Sequence, residues 1–280
     1  MAMTQSDAPV GRTEHASDTL DLRQARLMQL TLDRPATFEK GDPLPPFWHY
    51  LYFNPQIRAS DLGADGHEKL GRFIPDFGLP RRMWAGGRVT IEKPLLLGEE
   101  VEKRSTIRDV EEKAGRTGRL CFVTVDHDFS VAGEHRLRET QKIVYREAPA
   151  AGTPPPAGTP PPQDATFSRA ITPDPVLLFR YSALIFYGHR IHYDADYTRK
   201  KEGYPGLVVH GPLIATLLVG LGLERLGARR LHSFDIRAMS PLFVTAPFTL
   251  EGRDTDEGAT LWARTPDGDV AMTVSLQAAH

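Results

Sequence analysis

Residues Ala148 to Ala165 read APAAGTPPPAGTPPPQDA, a tandem AGTPPP repeat that holds seven of the chain's 23 prolines. Proline fixes φ and removes a backbone donor, and this stretch offers nothing apolar to bury, so it predicts an extended polyproline II spacer. A proline-rich ligand for an SH3-type partner is the competing reading of the same residues. The segment lies close to the middle of a 280-residue chain, with 147 residues before it and 115 after it. Two domains are therefore expected, 1–147 and 166–280, joined by a linker over 148–165.

The two halves carry a matching corner. Arg88-Val89-Thr90-Ile91 reads as the end of a strand and is followed by Pro94-Leu95-Leu96-Leu97; Phe234-Asp235-Ile236-Arg237 is followed by Pro241-Leu242-Phe243-Val244, with the two prolines 147 positions apart. After each corner the pattern is β: Val101–Val110, Leu120–Phe129 and Arg136–Tyr145 in the first half, Phe248–Arg253, Thr260–Ala263 and Val270–Leu276 in the second. Turn residues at 113–115, 132–133, 256–258 and 266–268 leave hairpin-length gaps between the runs, which predicts an antiparallel meander in each half. The clearest helix is Pro212–Leu226, apolar on nearly all sides and so expected to be buried, with Pro212 suited to its first turn and Gly227 to its end. A second, amphipathic helix is expected over Leu20–Leu32 with Ser17 or Asp18 as its cap. If the halves are copies, the first half needs a central helix of its own, and Phe47–Leu62 is where it is expected.

Charge and cysteine content narrow the function. Lys and Arg total 34 against 36 Asp and Glu, a net charge of −2, which argues against a general binder of nucleic acid or of anionic membranes while leaving room for a local basic pocket. The single cysteine, Cys121, sits in the apolar run Leu120–Val123 and is expected to be a buried structural thiol; one cysteine excludes an internal disulfide and any CxxC site. The longest apolar stretch, near Leu213 to Leu223, is far short of the ~20 residues a membrane span needs. The acidic N-terminal residues Asp7, Glu14 and Asp18 fit neither a secretory signal nor a transit peptide, so a cytoplasmic protein is expected.

The chemistry-bearing stretch is Arg180–Asp194, which packs His189, His192, Arg180, Arg190, Asp194 and three tyrosines into 15 positions. Eighteen residues after His192, Val209-His210-Gly211-Pro212 enters the buried helix. Free N–H groups and the positive dipole end at a helix N-terminus can stabilise an oxyanion, and because Pro212 has no N–H the Gly211 amide is the donor expected to do so. His189, His192 and Asp194 have the chemistry of metal ligands. Gly220–Gly227 has the look of a dinucleotide fingerprint but lies late in a helix instead of following a strand, so it fails the required context.

Phe186-Tyr187-Gly188-His189-Arg190-Ile191-His192 followed by Val209-His210-Gly211-Pro212 resembles the paired signatures of the MaoC-like hydratases and dehydratases. Gly78–Arg88, which reads GLPRRMWAGGR, is similar to the N-terminal domain of the branch that includes mesaconyl-C4-CoA and itaconyl-CoA hydratases and the mitochondrial 3-hydroxyacyl-thioester dehydratases. The resemblance spans about Leu44–Tyr145 and Phe167–His280. It implies an α+β double hot-dog, two curved antiparallel sheets each around a central helix, with the active site in the C-terminal half and the N-terminal half shaping an acyl pocket. It implies a cofactor-independent hydro-lyase without a metal, acting on an acyl-CoA or acyl carrier protein thioester, and a homodimer is expected.

On that resemblance His192 matches the catalytic histidine, suited to general-base work near neutral pH. The position five before it, an aspartate or asparagine in relatives, is Tyr187 here; a phenol is a poor base, so its expected role is to orient water, with occlusion of the pocket as the alternative. Arg81, Arg82, Trp84, Arg88, Arg190 and His210 are the candidate substrate contacts. The arginines are shaped to pair with a phosphate or carboxylate, and solvated or packing roles stand beside that reading, as does a loop-orienting role for His210. Two other functions fit the same residues: a hot-dog thioesterase, which would want a carboxylate where Tyr187 stands, and a non-catalytic acyl-thioester-binding subunit.

Overall fold

A computed structural model describes residues 9–115, 118–147 and 157–279. Ten strands form one antiparallel sheet: β1 Thr13–Thr19, β2 Arg81–Ile91, β3 Glu100–Gly115, β4 Gly118–Val131, β5 Glu134–Arg146, β6 Phe167–Ile171, β7 Leu231–Ala238, β8 Phe248–Thr255, β9 Gly258–Arg264 and β10 Val270–Ala278. Their order, β1-β3-β4-β5-β2-β7-β10-β9-β8-β6, places the same five-strand pattern on either side of the β2–β7 seam. Each half runs outward from its seam strand through a meander, and each closes with the short strand that precedes it in sequence. This is the double hot-dog arrangement that the matching corners predict.

At the seam Arg88 pairs in register with Asp235, residues that are themselves 147 positions apart, so the pair sits on the pseudo-twofold axis between the halves. The Arg88 guanidinium bonds Asp235 at 2.5 Å, Ser233 Oγ at 2.9 Å and Gln277 Oε1 at 3.0 Å. These three bonds tie Arg88 into the seam between the halves.

The halves differ in their helices. In the second, α4 Gly211–Leu226 packs on β9 and β10, buries Leu213, Ile214, Leu218 and Leu221, and stops at Gly227. The first half has no counterpart among the described residues. The span expected to hold one contains two short 3₁₀ turns, Trp48–Leu51 and Ala59–Asp61, and Pro45, Pro46 and Pro55 around them deny backbone donors to a longer helix. Phe47, Trp48, Leu51 and Tyr52 fill that space as buried side chains in a core continuous with that of the second half. Two N-terminal elements help to close it. Strand β1 was not foreseen; it occupies the residues expected to cap the first helix, so α1, Leu22–Thr31, starts later and is capped by Asp21, whose carboxylate accepts from the Gln24 N–H at 3.1 Å. Asp18 instead accepts from the Phe53 N–H at 2.7 Å.

Of the proline-rich linker, residues 148–156 lie outside the described residues. Residues 157–165 run without regular structure along the second half, where Thr159 accepts from the Val270 N–H at 2.8 Å and Asp164 pairs with Arg253. Cys121 is fully buried among Ile107, Val123, Val125 and Ile143, and burial raises its thiol to about 11, as a structural cysteine requires.

Candidate active site

The segment after α2, Pro175–Leu184, turns sharply at Phe186, which adopts φ 48°. That reversal sends Tyr187 back under the helix, where its N–H bonds the Ser182 carbonyl at 2.8 Å. A short turn at Arg190–His192 follows, and Asp194 caps α3, Ala195–Lys200, by accepting from the Tyr197 N–H at 2.9 Å. Asp194 is thus a capping residue, and it also holds Arg190, with Nη2 2.7 Å from Oδ2.

His192 is buried and its Nδ1 lies 2.7 Å from the Val208 carbonyl. A carbonyl can only accept, so Nδ1 carries the hydrogen and Nε2 keeps its lone pair. Burial lowers the ring's pKa to about 4, partly opposed by that hydrogen bond, and the imidazole is neutral at pH 7. His210 stacks on it with ring centres 3.6 Å apart and planes 15° from parallel. Its Nε2 contacts Ser182 Oγ at 2.8 Å, while its buried Nδ1 has no partner among the described residues. Burial and the two neighbouring histidines hold its pKa well below the ordinary value, so His210 serves as a neutral platform under His192.

Gly211 opens α4, and its N–H belongs to the first turn, where no intrahelical acceptor exists. The Trp84 ring lies against it: a Cβ at Gly211 would come within 3.0 Å of Trp84 Cε3. An irregularity in the β2–β5 register between Trp84 and Gly86 turns the indole inward, and its Nε1–H is buried without a partner among the described residues. Trp84 therefore brings the first half to the helix entry of the second. Arg81 is tied to Glu202 through its backbone oxygen, at 3.4 Å, and its carboxylate, at 3.7 Å. Arg82 is exposed and has no ion-pair or hydrogen-bond partner among the described residues, yet its charge acts on Tyr187 and on His189.

Two groups in this site had no place in the sequence reading. The loop 62–68 of the first half carries Asp65 and His67 into the second, where His67 Nε2 meets the Tyr187 hydroxyl and His67 Nδ1 lies 3.1 Å from Asp65. That hydrogen bond, against the effect of burial, lowers Asp65 to about 2, while burial pushes Tyr187 up to about 12, so Asp65 is a carboxylate and Tyr187 a phenol at pH 7. Arg190 anchors the loop by donating its N–H to Asp65 O at 2.8 Å and Nη1 to Ala64 O at 3.1 Å. Arg190 thereby ties the loop of the first half to the second.

Asp65, His67 and His189 each offer one atom within 4.8 Å of the others, a set with metal-ligand chemistry. The His67 and His189 ring centres are only 3.9 Å apart. Two imidazoles on one tetrahedral ion, bound at ~2.1 Å, hold their centres roughly 5 Å apart. The contact is therefore a stack of rings, which leaves His189 unprotonated with a pKa near 2, first through burial and then through the histidines on either side.

Residues 47–244 match the profile of the hydroxyacyl-thioester dehydratase type 2 family. Mesaconyl-C(4)-CoA hydratase of Chloroflexus aurantiacus is 43% identical over 96% of both chains. The mitochondrial hydroxyacyl-thioester dehydratase type 2 of Schizosaccharomyces pombe is 29% identical over 74% of this chain and 77% of its own. Among solved structures, HtdX of Mycobacterium tuberculosis superposes with a TM-score of 0.68 at 18% identity over 95% of this chain and 98% of its own. A second M. tuberculosis protein, described as a double hot-dog, gives 0.58 at 12% identity over 98% and 97%. No helix among the described residues is long and apolar enough to cross a membrane.

Proposed function

The chain belongs to the hydroxyacyl-thioester dehydratase type 2 family and is an acyl-CoA hydratase/dehydratase, a hydro-lyase, and we propose that its substrate is a dicarboxylic enoyl-CoA of the mesaconyl-C4 kind. The observation that carries this is Arg82, an exposed guanidinium without a partner among the described residues, whose charge reaches Tyr187 and His189 and which can receive the substrate's free carboxylate. The 43% identity to a mesaconyl-C4-CoA hydratase supports the same class.

In the hydration direction, His192 Nε2 takes one proton from water as the oxygen bonds to Cβ of the unsaturated thioester. The carbonyl becomes an enolate, which the Gly211 N–H and the α4 dipole stabilise. The imidazolium then returns the same proton to Cα, so one water is consumed and the base is regenerated. Tyr187 accepts a hydrogen bond from the second water hydrogen and fixes the angle of attack. Trp84 forms a wall at the helix entry and His210 supports His192 from below.

Purified protein should consume the enoyl-thioester absorbance of mesaconyl-C4-CoA without releasing free thiol, assayed with a chromogenic disulfide, which separates hydration from thioester hydrolysis. His192→Ala should lower kcat by about 10²-fold or more, and Arg82→Ala should raise KM for the dicarboxylic substrate while sparing crotonyl-CoA. Unchanged turnover in His192→Ala would remove the base from the scheme, and equal KM effects on both substrates would remove the carboxylate contact.

A further inference from the structure

We propose that Asp65 and His67 are positioning residues supplied by the N-terminal half, which fix Tyr187 of the C-terminal half as a hydrogen-bond acceptor toward the reacting water. The inference rests on the hydration reading above and adds to it the means by which a phenol takes the place of a carboxylate or amide.

The loop that delivers them is built to a close tolerance. Leu62 and Glu68 bridge its base, the Gly63 N–H bonds His67 O at 2.6 Å, and the Gly66 N–H bonds Gly63 O at 3.0 Å. Gly66 adopts φ +86°, and a Cβ there would lie 1.9 Å from the Gly188 carbonyl oxygen, so the turn seats flush on the residue after Tyr187. Arg190 clamps the same turn through Asp65 O and Ala64 O.

Hydrogen-bond direction follows from the partners. The Asp65 carboxylate only accepts; its Oδ2 faces His67 Nδ1 and its Oδ1 takes the His67 N–H, both at 3.1 Å. In the neutral imidazole the hydrogen is therefore on Nδ1, and Nε2 is an acceptor. Tyr187 must donate its single hydrogen to Nε2. Its oxygen then faces the substrate with lone pairs alone, as the oxygen of an aspartate or asparagine would. Without His67 the phenol hydrogen is free to turn toward the water and compete with the geometry that delivers a water proton to His192, whose ring centre is 5.7 Å from that of Tyr187.

The opposite placement of the ring hydrogen inverts the arrangement. A hydrogen on Nε2 makes Tyr187 accept from His67 and point its own hydrogen at the water. The titratable and charged groups facing the pair are Asp65 on the same loop, His189, Arg190 and His192 on the segment after α2, His210 at the α4 entry, and Arg82 on β2.

The test uses the full-length enzyme. His67→Ala and Tyr187→Phe should each lower kcat by roughly 10- to 100-fold with KM within about twofold, and the double variant should be no slower than either single one. His67→Gln should recover most of the loss, because its amide oxygen accepts from Tyr187 while its NH₂ donates to Asp65. Wild-type kcat in His67→Ala overturns the proposal, as does a His67→Gln enzyme as slow as His67→Ala. Activity lost to a chelator and restored by zinc overturns it in favour of a metal at Asp65, His67 and His189. ¹⁵N imidazole spectra, with His67→Gln for assignment, read the tautomer without any turnover: a lone pair on Nε2 that responds to Tyr187→Phe supports the proposal, and a hydrogen on Nε2 at neutral pH overturns it. Wild-type enzyme that fails to hydrate the dicarboxylic substrate refutes the substrate assignment, and the spectra still decide the positioning role.

Discussion

Glu139 shows what single buried groups do for this fold outside the site. It is 4% exposed, accepts from the Tyr50 hydroxyl, and lies 3.0 Å from His49 Nε2. Burial alone would raise its pKa, but the hydrogen bond and charge of His49 prevail and hold it at about 2. Removing a buried partner strands the others, so Glu139→Ala should cost on the order of 3 kcal/mol in urea unfolding at pH 7 and leave kcat of the folded enzyme unaltered. A stability change under about 1 kcal/mol would mean His49 and Tyr50 find new partners. This pair, like Asp65 and His67, could not be read in the sequence. His67 and Tyr187 are 120 residues apart, and no periodic pattern marks their meeting. His192, Tyr187 and Gly211 could be singled out as candidates because they lie on one local segment and one helix entry that together carry the family resemblance. The available signal for His67 was Asp65-Gly66-His67 itself, a carboxylate and an imidazole around a glycine in a stretch with neither helical nor strand spacing.

Elements were legible wherever a local pattern decides them. The hairpin between β4 and β5 turns at Ala132 and Gly133, both at positive φ, and α4 begins and ends where its proline and glycine place it. The missing helix of the first half was not legible, because the duplication argues for it and the local prolines against it, and the prolines prevail. Nor was the role of β2 as the seam, which depends on a strand 150 residues away. Gly86 makes that seam possible: at φ +111° a Cβ would stand 2.1 Å from the Ile236 carbonyl oxygen. Gly86→Ala must move β7 away or twist β2, at a cost of several kcal/mol, and should lower Tm by roughly 10 °C. Because the same irregularity aims Trp84 at Gly211, KM should rise in the variant as well. A Tm within about 2 °C of wild type would show that the strands part without loss.

The described residues form one sheet over a main core that spans both halves, with a smaller cluster around Cys121 in the first, so the two halves should unfold together and their buried ionisable groups should act on a single transition. Those groups share a sign. Burial holds His127 and His192 at about 4 and His189 near 2, against an ordinary 6.5, with His210 also well below it. Each is neutral in the fold and binds a proton more readily once unfolded, so stability is lost as pH falls from about 6.5 toward 4. Glu139 and Asp65 are held near 2, below ordinary values of 4.5 and 3.8, so their contribution is present above those values and is lost as pH falls on toward 2. The two sets add in sequence along the pH axis. The unfolding free energy from urea titration should therefore decline from about pH 6.5, well before the carboxylates titrate, by several kcal/mol at pH 4.5, and the midpoint with it. His127→Gln, on β4 of the first half and bonded to Ser105 at 2.9 Å, should flatten the first part of that decline while leaving the activity profile to His192. A midpoint that holds level between pH 7 and 4.5 would mean the histidines charge inside the fold, and the neutral base required for hydration would then be lost over the same range.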